Sequence, residues 1–122
     1  MKKSVMKGLN VGFGFLALSI LAGCASSSVQ PLTAKKYPNK PADCGLEFYT
    51  DANRVQRKYS ELALVTHKTE QDAFSDKGAA KITEALRKEA CKLGADGLII
   101  KSAIQGTWGD PGRGEGIAIK FE

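Results

Sequence analysis

The chain has 122 residues, enough for one small domain, and a formal charge of +5. Lys2, Lys3 and Lys7 are the only charged residues before Cys24, so the remainder carries only +2, with acidic and basic side chains interspersed. That balance excludes a nucleic-acid-binding face, which needs Lys and Arg gathered on one surface.

Taken in chain order, the first segment has the layout of an export signal. Three lysines are followed by the apolar run Val11–Ala22, and small residues Ala22 and Gly23 precede Cys24. The run is about 12 residues, whereas a bilayer-spanning helix needs roughly 20. Gly12 and Gly14 weaken it as a core helix, and it has no amphipathic face. The closing Leu21-Ala22-Gly23-Cys24 resembles the lipobox of bacterial lipoproteins. The resemblance implies removal of residues 1–23 and acylation of Cys24. Two or three acyl chains, at about 0.8 kcal/mol per buried CH2, make a durable membrane anchor. Ala25 and Ser26 follow the cysteine. In this family an Asp at that place favours inner-membrane retention, so its absence implies the outer membrane, facing the periplasm.

Residues 24–43 read as the lipidated N-terminus and a flexible tether. Pro31, Pro38 and Pro41 interrupt the segment, Ser26–Ser28 loosen it, and no hydrophobic period runs through it. A flexible chain of this length spans roughly 25 Å, enough for the domain to float near the membrane.

The folded domain is expected over residues 44–122. Leu46, Phe48 and Tyr49 suggest a short strand, and Tyr59–Thr66 a second, with Leu62 and Leu64 on one face and Ala63 and Val65 on the other. A helix is expected over Asp76–Leu93, with Ser75 as N-cap and Gly94 just past its end. Its apolar stripe is Ala79, Ile82, Leu86, Ala90 and Leu93. Gly97–Ile104 is a third strand with Leu98, Ile100 and Ile104 on one face, and Gly116–Phe121 a fourth. The Gly- and Pro-rich stretch 105–115 reads as a mobile hairpin loop. The order β-β-α-β-β predicts an α+β domain, one helix laid on a small, mainly antiparallel sheet.

Cys44 and Cys91 are the other two of the three cysteines. In an oxidising compartment a disulfide is the default for such a pair. At 100° per residue Cys91 lies about 140° from the centre of the helix stripe, so the bridge would fasten the tether across the helix's outer side.

The segments Cys44-Gly45-Leu46-Glu47-Phe48-Tyr49 and Lys88–Ile99 resemble a loose group of small proteins in which a helix ends in a Leu-Gly-Ala-Asp turn and feeds an apolar strand. Here that turn is Leu93-Gly94-Ala95-Asp96. The group includes small heavy-metal-binding domains that assemble into rings and the lipoprotein sensor of the Rcs envelope-stress phosphorelay. The resemblance implies the α+β fold and an envelope role. No metal ligand carries over, and no cofactor is implied.

Few residues carry chemistry. His67 is the one histidine, and a metal site formed with Cys44 and Cys91 competes with a plain surface histidine. The loop glycines lack the Lys-Ser or Lys-Thr and following helix of a phosphate loop. Trp108 is either an anchor for a partner or a cover for the open end of the core, with Arg113 as a polar contact beside it. The function expected is a non-enzymatic, lipid-anchored envelope domain that binds another envelope protein, in stress sensing or envelope assembly. A metal- or small-ligand-binding lipoprotein is the alternative.

Overall fold

A computed structural model describes residues 25–70 and 77–122; the leader, Cys24 and the expected Ser75 cap lie outside them. The elements in chain order are β1 (Ser26–Pro31), β2 (Glu47–Tyr49), a 3-10 turn (Ala52–Arg54), β3 (Tyr59–Lys68), α1 (Ala79–Lys92), β4 (Gly97–Ile104) and β5 (Arg113–Phe121). The strands form one sheet in the order β1-β3-β5-β4-β2. Three neighbouring pairs are antiparallel and β2–β4 is parallel. The protein is an α+β domain with one helix packed on a five-stranded mixed sheet.

The middle of the helix stripe meets the sheet as its period requires, while Ala79 at its start is exposed. Ile82, Leu86 and Ala90 are fully buried and join Ala63, Val65, Leu98 and Ala118 in one cluster. Each large aliphatic side chain there contributes about 1.5–3 kcal/mol by leaving water. The expected first helical turn differs: α1 begins at Ala79, after Gly78 in extended conformation. Gly94, at φ 75°, closes the helix. The Gly94 amide donates to Cys91 O and the Ala95 amide to Ala90 O, a paired closure that satisfies the last helical carbonyls. A Cβ on Gly94 would also come within 2.5 Å of the Pro38 carbonyl.

Two bulges change which residues face the core. One lies between Glu61 and Ala63, and it lets Leu62 join Ala63 in the cluster instead of pairing with Leu64 on the opposite face. The other lies between Ile100 and Ser102. Past it, Ala103 takes the inward place and Ile104, expected to face with Leu98, is 64 % exposed.

The expected tether is also largely structure. Ser26–Pro31 pairs antiparallel with β3, and the Leu32 amide donates to Leu62 O. Tyr37 and Leu46 pack against the core, while the Lys40 amide donates to Cys91 O. The folded body therefore starts at Ser26, not at residue 44. β1 has no apolar period because Val29 is its one side chain packed on the core; the rest of its pairing is made by backbone groups and by the Ser27 and Ser28 hydroxyls.

Cys44 and Cys91 are joined by a disulfide, Cα to Cα 5.9 Å. Cys91 is fully buried yet is not part of the helix–sheet cluster, so the bridge clamps residues 37–46 across the outer side of α1. Arg87 supports the clamp by donating to Cys44 O at 3.3 Å.

Candidate functional site

Register aligns one end of the domain. Ser26 pairs with Lys68, Lys68 with Arg113, and Arg113 with Ile104, giving one row across four strands. α1 also begins near this end, since a Cβ on Gly114, one residue behind Arg113, would overlap Ile82. The β4–β5 connection projects beyond the row.

That connection is an ordered hairpin, not the loose loop its glycines suggest. Thr107 and Asp110 exchange backbone hydrogen bonds of 3.2 and 3.0 Å across Trp108-Gly109. Gly109 sits at φ 87°, which only glycine adopts at little cost. The base is tied down. The Gly106 amide donates to Lys77 O, Lys77 Nζ donates to Thr107 O, and Gly112 N donates to Thr69 Oγ1 at 2.7 Å. The indole at the tip is 85 % exposed, so Trp108 does not cover the core. A fixed backbone thus presents an aromatic ring to solvent.

Below the hairpin, on the sheet face away from α1, lies a shallow hollow of about 380 Å³. Its lining includes Ser28, Thr66, Lys68, Ser102, Arg113 and Glu115. Ser28 and Thr66 share a hydroxyl–hydroxyl hydrogen bond across the β1–β3 pair. The hollow offers hydroxyls, two cations and one carboxylate, a set suited to polar recognition. Further down, residues 50–58 cross from β2 to β3, and Thr50–Ala52 border Ile99 and Ile117. Arg57 stacks on the Phe121 ring at 4.1 Å. The open face is therefore covered at one end and bare at the hairpin end.

The sequence-derived candidates converge only in part. Arg113 lies in the row and lines the hollow, and Trp108 projects beside it. Cys44 and Cys91 sit together on the outer side of α1. His67 borders the same hollow at its edge, while its side chain turns to α1's side of the sheet, where Nδ1 pairs with Ser27 Oγ at 2.7 Å. Burial chiefly lowers the His67 pKa; Glu89 raises it and Lys81 lowers it further. A site uniting His67 with the two cysteines does not form, because the sulfurs are spent in the disulfide. Among the described residues no group of three or more His, Cys, Asp or Glu could hold a metal ion. The residues that sequence reasoning missed are Lys68, Ser28, Thr66 and the outward Ile104. Their signal is the register of β1 and the β4 bulge, which composition does not reveal.

Asp96 organises the opposite end. It accepts from Lys40 Nζ at 2.8 Å, Lys120 Nζ at 3.2 Å and the Phe121 amide at 3.0 Å. Burial pushes its carboxyl up, but the hydrogen bonds from Lys40, the Phe121 amide and Lys120 outweigh this, and the pKa falls below the usual value. A carboxylate depressed on folding stabilises fully above its unfolded pKa, and that contribution is lost as pH falls through the folded one. Acid unfolding followed by circular dichroism should therefore lose part of its steepness below pH ~4 in Asp96→Asn, which should also be less stable at neutral pH. Equal pH profiles for both proteins would contradict this.

These features define a small α+β domain with a hydroxyl-lined sheet face and a projecting aromatic hairpin. No family model matches the chain, and no curated relative does. Among solved structures the fold is similar to the crystal structure of a Francisella virulence factor, FvfA, with TM-score 0.57 and 14 % identity over 77 % of this chain and 96 % of that one. At that identity the likeness is one of fold. Among the described residues no helix is long and apolar enough to cross a membrane.

Proposed function

We propose that this chain is an exported lipoprotein: residues 1–23 are removed, Cys24 is acylated, and the domain is held at the outer membrane on the periplasmic side. There it serves as a non-enzymatic module that binds another envelope protein, in stress sensing or envelope assembly. The leader pattern and Leu21–Cys24 support the anchor. The disulfide suits an oxidising compartment. The observation that carries the binding role is the bare end of the sheet face, where Arg113 lines an open polar hollow beside an outward Trp108. A tied-down hairpin holding an indole in water costs solvation without adding to the core, which is how interface anchors are built.

A photo-crosslinking residue at Ser102, inside the hollow, should trap a discrete envelope protein in whole cells. Arg113→Ala and Trp108→Ala should each reduce the adduct several-fold. Uncrosslinked monomer under every condition would contradict the binding role.

A further inference from the structure

The strand register fixes where the anchor meets the domain. Cys24 stands two residues before Ser26, and two extended residues span at most about 7 Å. Ser26 opens the row Ser26–Lys68–Arg113–Ile104. An acyl group on Cys24 is thus tied beside the end of the sheet that carries the hairpin, with no tether to let the body drift away. The same end presents the two most exposed large hydrophobic residues described, Trp108 at 85 % and Ile104 at 64 %. Lys68 and Arg113 are exposed between them and the anchor. Asp110, exposed in the hairpin, accepts from Thr107 Oγ1, and Glu115 lies on the wall of the hollow, so the two cations there are set against two carboxylates.

We propose that this end of the domain rests on the bilayer, with Trp108 and Ile104 in the interfacial zone and Lys68 and Arg113 against anionic phospholipid headgroups. The inference builds on acylation of Cys24 and names what the hairpin tip touches. Indole rings settle at headgroup level because one edge is apolar and the N–H stays hydrated. Basic residues near an anionic surface add attraction that decays within a Debye length. Acyl chain, aromatic tip and cations together fix orientation, where a lipid alone would leave the body free to tumble. The sheet face then stands steeply to the membrane; Ile104, Lys68 and Arg113 form the membrane-side wall of the hollow, and its far wall of Ser28, Thr66 and Glu115 is left to a protein partner at the bilayer surface. Trp108 supports that partner by holding the posture, and Arg113 lies where the two surfaces meet.

The chain supplies its own probe, since Trp108 is its one tryptophan. The mature acylated protein should be reconstituted into phosphatidylethanolamine vesicles containing phosphatidylglycerol, with bromine placed shallow on the acyl chains. Trp108 emission should shift to the blue and be at least halved by the brominated lipid. In the Trp108→Phe/Phe48→Trp variant the reporter moves to a half-exposed site about 20 Å from the row, and quenching should disappear. Vesicle flotation is scored in parallel. Protein that floats but keeps water-like, unquenched Trp108 emission would overturn the orientation and leave the anchor standing. Protein that does not float would overturn both. A photo-crosslinker at position 108 that gives a discrete protein adduct and no lipid adduct would assign the tip to a protein and overturn the inference.

Discussion

Removing the disulfide with Cys44→Ala/Cys91→Ala should lower the midpoint of thermal unfolding by about 15–25 °C. The bridge closes a loop across a sequence separation of 47, for which chain entropy alone gives about 3–4 kcal/mol. A domain this small draws much of its margin from such a constraint. The loss should also be localised. Residues 37–46 are held by the bridge, by the Lys40 amide on Cys91 O and by Arg87 on Cys44 O. Without the bridge, proteolysis should begin in that segment while β3–β5 amides stay protected from exchange. A midpoint within about 3 °C of wild type would mean that the clamp adds little.

Gly114→Val should destabilise by about 3 kcal/mol or more, at the upper end of overpacking costs. The Gly114 backbone lies directly under α1, and a Cβ there would overlap Ile82 and come within 3.2 Å of Leu86. Neither neighbour can retreat, because both are fully buried. Gly45→Ala is the matched control. Nothing lies within 4 Å of its added Cβ and its φ is not positive, so stability should hold or rise slightly. Urea midpoints for the two variants check both expectations. A Gly114→Val protein as stable as wild type would mean that α1 is not seated on β5 as described.

Much of the fold is legible in the residues. Ile82, Leu86 and Ala90 recur at helical spacing and are the residues α1 buries. Gly94 stops the helix where its position suggests. The off-stripe placement of Cys91 signals a bridge on the outer side, and Cys44 lies there. What is not legible depends on non-local pairing. β1 is polar on nearly every position, so nothing in Ser26–Pro31 announces a strand until β3 is there to pair with it. Bulges carry no compositional mark, yet those at Leu62 and Lys101 decide that Leu62 is buried and Ile104 is not. The candidate site follows the same division. Trp108 and Arg113 stand out by residue type, whereas Lys68, Ser28 and Thr66 join them only through register.

That register also alters the picture of the anchor. A proline-rich tether would let a domain sample the periplasm. If Cys24 is acylated as proposed, a β1 that starts at Ser26 would hold the body flush, and the surface beside the lipid would be the one offered to other envelope components.

The central claim is acylation of Cys24, and intact-mass measurement of the protein extracted from membranes tests it most directly. The expected product is a chain that begins at Cys24 and carries a diacylglyceryl group plus an amide-linked acyl chain, with Cys24→Ala yielding an unlipidated product. A wild-type protein recovered unmodified from the soluble fraction, or still bearing residues 1–23, would contradict it.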